Sequence, residues 1–154
     1  GTGTNAITRN LKSADYAATP NTALNTAGDQ TITVTANTNK TDTLTVKVVA
    51  LEGIAISGED KITKTYTVGT NLQTVAQMKA AGAKIIATFG SGDDVVTKEI
   101  ELDDAAVTVA VKQADGSTAG TALGSAAAAT DKSILFSVTV GGVTKSDSVA
   151  ISVT

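Results

Sequence analysis

Two stretches near the start of the chain alternate strictly between apolar and polar residues. In residues 30–36, isoleucine and valine alternate with threonine, and in residues 43–49, leucine and valine occupy every second position. A period of two indicates a β-strand that buries one face. Because the polar residues 37–42 between the stretches favour turns, the pattern predicts a β-hairpin.

A second pair of alternating stretches closes the chain. Residues 133–140 and 148–153 flank the glycine-containing segment 141–147. We predict a second hairpin here, with residues 141–147 as its turn.

The two hairpins align with each other. Asp-Gln-Thr-Ile at residues 29–32 matches Asp-Lys-Ser-Ile at residues 131–134, and residues 42–48 match residues 147–153. The separations of about 102 and 105 residues correspond to one immunoglobulin-type sandwich of roughly 100 residues. The alignment therefore predicts an internal repeat of that size.

The repeat divides the chain into one complete unit, residues 51–154, and the second half of a preceding unit, residues 1–50. A weaker likeness between residues 10–16 and 101–107 supports this division. A half sandwich leaves an apolar sheet face and open strand edges unprotected. Three explanations stay open: the chain, which begins at Gly1 rather than Met, was excised from a longer protein; its N-terminal residues fold differently; or another chain completes the sheet by strand addition.

Within the complete unit, the pattern predicts about seven strands and one short helix. The spacing of three and four between apolar positions predicts the helix in residues 71–82, with Thr70 or Asn71 as its N-cap and Gly82 at its end. The predicted fold class is thus all-β, an immunoglobulin-like β-sandwich preceded by a partial second unit. The further strands are predicted at residues 51–56, 64–68, 83–89, 95–102 and 107–112, with turns at residues 90–94 and 114–117.

Composition narrows the function classes. Hydrophobic residues make up 42% of the chain but aromatic residues only 3%, so the core must consist of small and β-branched side chains. The absence of Cys and His excludes thiolate nucleophiles, Ser-His-Asp triads and the usual zinc sites. We therefore expect no enzymatic activity, and the threonine-rich strands are typical of an extracellular protein.

Charge and hydropathy exclude two classes of partner. The net charge is −3 and no two Lys or Arg residues are adjacent, so nucleic-acid binding is not expected. No apolar run approaches the roughly 20 residues of a membrane-spanning helix, and no signal-type segment is present in the sequence.

Several segments resemble a known family. They follow the patterns L-x-x-I-x-I at residues 51–56, K-x-Y-x-V-G at residues 64–69 and A-T-F/Y-x-x-G at residues 87–92. Residues 51–154 thereby resemble a bacterial immunoglobulin-like domain of the Big type, and residues 10–50 resemble part of one. The resemblance implies a spacer, an adhesin stalk or a surface-layer subunit. The helical segment and the alanine run 126–129 are longer than a minimal module of this family needs.

Acidic residues offer a candidate calcium site. Asp93, Asp94, Asp103, Asp104 and Asp115 supply the oxygen ligands that Ca²⁺ prefers, and proteins similar to this family commonly assemble with calcium. Aspartate also favours turns without any metal, and no EF-hand spacing is present. The sequence therefore assigns no metal ligand and no cofactor, with calcium as the one alternative.

Glu99 and Asp104 are a conceivable acid–base pair for sugar cleavage. Glycan-cleaving sites usually stack the sugar on aromatic rings, and the four aromatic residues are better explained as core residues. No catalytic residue is therefore assigned. The aromatic residues are Tyr16, Tyr66, Phe89 and Phe136.

Modification motifs are sparse. The triplet Asn39-Lys40-Thr41 is a glycosylation sequon in the first predicted turn. An Asn–Lys isopeptide bond is not expected, because no predicted strand core contains Asn. Four lysines are predicted to lie in strands and to protect sheet edges or face solvent: Lys47, Lys64, Lys98 and Lys112.

These observations favour a non-catalytic structural module at a bacterial cell surface, in an S-layer-type array or a stalk. Its expected partners are copies or neighbouring repeats of the same protein. One alternative is an adhesin or phage decoration domain that binds a glycan or host surface. Another is a fibre subunit completed by a strand from a neighbouring chain.

Overall fold

The computed structural model describes residues 16–20, 24, 26–36 and 40–154. The chain forms two compact units, Gly1–Val49 and Ala50–Thr154. Strands dominate the described residues, with one short α-helix. The fold is all-β and sandwich-like, as the alternating pattern predicts.

The first unit contains one antiparallel sheet formed by β1 (Tyr16–Thr19), β2 (Gly28–Ala36) and β3 (Thr41–Val48), in that order. The predicted first hairpin is confirmed, with both strands starting earlier than the alternation indicates. Its turn is shorter than predicted, because Ala36 N–H donates to the Lys40 carbonyl at 2.8 Å and β3 begins at the next residue. Residues 37–39, including Asn39 of the sequon, lie outside the described residues.

The second unit is built from eight strands and the helix. Two three-stranded antiparallel sheets face each other across the core, and a short parallel pair accompanies them. The elements are β4 (Leu51–Ser57), β5 (Thr65–Tyr66), α1 (Val75–Ala80), β6 (Lys84–Phe89), β7 (Val96–Ile100), β8 (Val107–Gln113), β9 (Asp131–Val140), β10 (Val143–Ala150) and β11 (Ser152–Val153). The sheets have the orders β4-β6-β7 and β8-β9-β10, and β5 pairs with β11.

The core lies between the inner faces of these two sheets. On β6, Ile85 and Ala87 are buried and alternate with partly exposed residues; on β9, Ile134, Phe136 and Val138 do the same. Each large aliphatic or aromatic side chain buried in this way stabilises the fold by about 1.5–3 kcal/mol. Ala, Val and Ile supply most of the core, as the composition predicts, but the core also contains larger side chains that the prediction left out: Leu51, Leu72, Leu102, Met78, Tyr66 and Phe136.

The aromatic residues follow the core prediction with one exception. Phe136 and Tyr66 are buried, and Phe89 packs partly buried against the core. Tyr16 is 39% exposed, so its assignment as a core residue is wrong. It lies on β1 of the first unit, where no residue of the described sheet is fully buried.

One hydrogen bond joins the edges of the two sheets of the second unit. The carboxylate of Asp147 on β10 accepts the backbone N–H of Ile56 on β4 through Oδ2 at 3.4 Å. Its Oδ1 accepts the N–H of Ser148 at 2.8 Å. Asp147 thus satisfies an edge backbone group that would otherwise lack a strand partner.

The predicted helix exists but is shorter than residues 71–82. Its N-cap is Thr74 rather than Thr70 or Asn71: the Thr74 hydroxyl accepts Gln77 N–H, and the Gln77 side chain accepts Thr74 N–H. The end at Gly82 is confirmed, because Gly82 has φ 99° and Ala83 N–H donates to the Met78 carbonyl.

Three other predictions need correction. The strand at residues 64–68 is reduced to β5, so Lys64 precedes the strand and pairs with Glu59 at 2.6 Å. The strand at 95–102 is shorter, with residues 92–94 in a 3₁₀ turn before it. The turn at 141–147 contains only two residues, because Gly141 and Gly142 both adopt positive φ and β10 begins directly after them.

The structure pairs the two hairpins in the same register that the sequence repeat implies. In the first hairpin, Ile32 lies opposite Leu44. In the second, their aligned counterparts Ile134 and Val149 lie opposite each other. Each remaining pair of β2 and β3 maps in the same way onto a pair of β9 and β10 wherever both pairs are formed.

The weaker upstream likeness extends this correspondence to a third strand. Tyr16 of β1 pairs with Ala36 of β2, and their aligned counterparts Val107 of β8 and Val138 of β9 also pair. The sheet β1-β2-β3 therefore has the strand order, direction and register of β8-β9-β10. In the second unit that sheet packs against β4-β6-β7; in the described part of the first unit it stands as one layer.

Candidate assembly surface

Three acidic residues of the calcium hypothesis, Asp103, Asp104 and Asp115, make separate local contacts. The Asp103 carboxylate accepts Lys79 Nζ at 2.7 Å, and this hydrogen bond lowers the pKa of Asp103 and raises the pKa of Lys79. Asp104 accepts the N–H of Ala106 at 2.8 Å. Both aspartates are exposed, so these contacts add little stability.

Asp115 shapes its own turn in the same way. It accepts the N–H groups of Ser117 and Thr118, and the Thr118 hydroxyl also donates to it, which lowers the pKa of Asp115. Asp93 lies in the 3₁₀ turn before β7. Over residues 40–154 and the shorter described stretches before them, no three side chains of metal-ligating type form a group. Calcium binding stays a prediction.

The two carboxylates of the conceivable acid–base pair are also occupied. Glu99 on the exposed edge strand β7 pairs with Lys84 Nζ at 2.6 Å, which raises the pKa of Lys84. Asp104 lies in the turn after β7 and accepts the backbone contact to Ala106. Both side chains are thus engaged in local contacts at the surface of the unit.

A shallow depression of about 390 Å³ lies beside β5. The Gln73 side chain holds the loop there, because its Oε1 accepts Thr63 N–H at 2.8 Å and its Nε2 donates to the Lys61 carbonyl at 3.2 Å. Tyr66 Oη accepts Gln73 N–H at 3.3 Å. The depression is lined by polar side chains: Thr63, Tyr66, Asn71, Gln73 and Gln77.

Asp131 is the one fully buried acidic residue of the described chain, and its role cannot be predicted from the sequence pattern. Its Oδ1 accepts Thr121 N–H and its Oδ2 accepts Ala128 N–H, both at 2.8 Å. It thereby fixes the long loop between β8 and β9. Its aligned counterpart Asp29 is exposed, so the repeat pattern offered no signal for this contact.

The sheet of the first unit has two chemically distinct faces. Strand alternation and the cross-strand pairs place apolar side chains on one face and mostly threonines on the other. Gln30 and Asp42 are polar residues on the same side as the apolar side chains, where they lie opposite Val46 and Val34. We call this face, formed by the following side chains, the apolar face: Tyr16, Ala18, Ile32, Val34, Ala36, Leu44, Val46 and Val48.

The apolar face is much more exposed than its counterpart. Leu44 is 58% exposed, whereas Val149, which takes its place in β10, is 1% exposed. Ile32 is half-buried, whereas Ile134 is fully buried. The exposed apolar side chains make this face a candidate interaction surface.

Comparisons with known proteins do not identify a family for this chain. No family model, curated protein or solved structure matches the chain. Within the described ranges, no helix has the length and apolarity to cross a membrane.

Proposed function

We propose that the chain is a non-catalytic structural module of a bacterial cell-surface assembly, built from Big-type immunoglobulin-like repeats in an S-layer-type array or a stalk. The observation that carries the proposal is the repeated sheet: β1-β2-β3 has the order and register of β8-β9-β10. Repeating a sheet gives a chain more length and more contact surface, and a structural assembly requires both.

The chemistry of the side chains supports the non-catalytic part of the proposal. The chain contains neither Cys nor His, so the commonest nucleophile–base pairs are absent from it. The carboxylates of four exposed acidic residues form surface ion pairs or accept local backbone N–H groups: Glu99, Asp103, Asp104 and Asp115. A catalytic acid usually requires a site that holds its carboxyl protonated near neutral pH.

The surface composition supports the extracellular part. In the first unit, threonine lines the face of β2 and β3 opposite the apolar face. In the second unit, Thr139 of β9 and Thr144 of β10 share a hydrogen bond at 2.8 Å.

The test is the mass of the purified chain in solution over a wide concentration range, in Ca²⁺, in Mg²⁺ and in chelator. We expect concentration-dependent assembly that electron microscopy shows to be ordered, as an array or a fibre. Mg²⁺ is the matched control, because it separates specific calcium binding from general screening of the acidic surface. A chain that stays monomeric under all three conditions contradicts the proposal.

The polar depression beside β5 favours a second candidate, an adhesive module that binds a glycan. Its hydroxyl and amide groups are of the kind that hydrogen-bond sugars. This candidate predicts a calcium-indifferent monomer that is retained by a carbohydrate on a glycan array. Gln77→Ala, at the rim, would reduce that retention, whereas Thr108→Ala on β8 would leave it unchanged.

A further inference from the structure

We propose that the apolar face of β1-β2-β3 is a docking surface for a three-stranded aliphatic sheet of the β4-β6-β7 kind, supplied by a neighbouring repeat of this type. The inference rests on the proposed function, because neighbouring repeats exist only in a repeat assembly. It adds the identity of the partner and the atoms that receive it.

The second unit shows how the equivalent face is covered. There, the counterparts of Ile32 and Leu44 are Ile134 and Val149, and both are buried in the core against β4-β6-β7. The opposing sheet contributes Ile85 and other aliphatic side chains from its inner face. The first unit repeats the receiving sheet in the same register, so its apolar face presents apolar side chains at the spacing that receives such a partner in the second unit.

A carboxylate marks where the edge strand of the partner lies. In the second unit, Asp147 bonds its own neighbour Ser148 through Oδ1 and the N–H of Ile56 on β4 through Oδ2. Asp42 is the aligned residue in β3, and its Oδ1 accepts Thr43 N–H at 2.8 Å in the same manner. Asp42 is exposed and placed to receive a backbone N–H from a strand equivalent to β4.

The size of the face favours a sheet over a single added strand. β2 has nine residues and spans about 30 Å, and three strands at the usual spacing are about 14 Å wide. A lone strand would pair with the edge at β1 or β3 and leave the face exposed. A second copy of β1-β2-β3 would cover the face but carries no β4-type edge strand for Asp42.

Thiol labelling measures whether the face is covered, since the chain contains no Cys. We expect Leu44→Cys to react nearly as fast as Thr45→Cys on the opposite face, at a rate independent of protein concentration. Val149→Cys, at the equivalent position of the second unit, is the buried reference. We expect it to react at least about 100-fold more slowly, because labelling requires opening of the core.

The partner is then supplied by joining a second copy of residues 50–106, which contain β4, β6 and β7, ahead of Gly1 in the full chain. We expect labelling of Leu44→Cys to slow by at least about tenfold, with Thr45→Cys unchanged. Ile85→Asp in the added copy, on its inner face, should restore fast labelling. Ile86→Asp in the added copy, on its outer face, is the matched control and should not.

Three results overturn the inference: slow labelling of Leu44→Cys in the unmodified chain, labelling that slows as its concentration rises, or no protection by the added copy. The second result would identify another copy of this chain as the occupant. Protection by the added copy together with a failure of the unmodified chain to assemble would count against the proposed function and leave the docking inference intact.

Discussion

At the scale of single residues, Asp131 shows how this small core tolerates a buried carboxylate. Burial favours its neutral form, but the hydrogen bonds from Ala128 N–H and Thr121 N–H favour the ionised form more strongly, and the pKa of Asp131 is lowered. A lowered pKa means that its contribution to stability is present above the pKa of the unfolded chain and is lost as the pH falls.

Replacing Asp131 with Ala leaves the backbone N–H groups of Thr121 and Ala128 without their acceptor. We expect a loss of about 2–4 kcal/mol in the free energy of unfolding, measured by urea denaturation at pH 7. Asp104→Ala is the matched control, because its carboxylate makes one exposed backbone contact. Equal losses in the two variants would show that the buried contacts of Asp131 do not stabilise the loop.

The same residue gives a pH signature. Asp131→Asn keeps the shape of the side chain but does not titrate. We expect the stability difference between the wild-type chain and this variant to be constant near neutral pH and to shrink below about pH 4. Thermal unfolding from pH 7 to pH 3 measures it, and a difference that grows in acid would contradict the sign of the pKa shift.

Position 120 requires glycine because there is no space for a Cβ atom, not because its backbone has a positive φ. A Cβ atom there would lie 2.5 Å from Asp131 Oδ1 and 2.7 Å from Val111 Cγ1. We expect Gly120→Ala to cost about 1–3 kcal/mol by overpacking. Gly53→Ala is the control, since a Cβ at Gly53 has nothing within 4 Å. Differential scanning calorimetry should show a lower melting temperature than that of the wild-type chain for Gly120→Ala and an unchanged one for Gly53→Ala.

At the scale of elements, the β9–β10 hairpin depends on its two-residue turn. Gly141 and Gly142 have φ of 57° and 78°, which β-branched residues rarely adopt. We expect Gly142→Val to destabilise the second unit by about 1–2 kcal/mol, whereas Gly141→Asn should be tolerated. Urea unfolding followed by circular dichroism separates the two variants, and equal midpoints would contradict the turn assignment.

The pattern predicts a turn at residues 141–147 rather than at Gly141 and Gly142 alone, because the polar residues among 143–147 are typical of a loop. Their Ser and Thr side chains instead pair across the strands, with Ser137 and Ser146 sharing a hydrogen bond at 2.8 Å. Polar cross-strand pairs on a solvated face leave too few apolar positions for a period of two to be recognised.

The helix start was misplaced for a tertiary reason. Asn71 forms a bridge with Ala126, and Leu72 N–H donates to the Ser125 carbonyl. These contacts with a distant loop hold residues 71–72 extended, so the helix begins only after Thr74. Its end was predictable because Gly82 acts locally, whereas the loop contacts cannot be inferred from spacing.

At the scale of the whole molecule, the all-β class is predictable from the sequence because each strand shows its own alternation of apolar and polar residues. The alignment of the two hairpins is predictable because their residues are similar. The pairing of β5 with β11 joins residues far apart in the chain and leaves no local signal. The sequence analysis also predicts an exposed apolar face, because it assigns residues 1–50 to half of a sandwich. The matching contacts of Asp42 and Asp147 with the N–H of the next residue could be found only from the structure.

The central claim is that β1-β2-β3 is the counterpart of β8-β9-β10 and that, among the described residues of the first unit, no second sheet covers it. Native-state hydrogen exchange on the full chain tests this claim most directly. The two sheets have the same backbone register, so packing alone should set their protection. We expect the amides of β9 to exchange only on global unfolding of the second unit, and those of β2 to exchange at least about 100-fold faster. Equal protection of β2 and β9 would contradict the account.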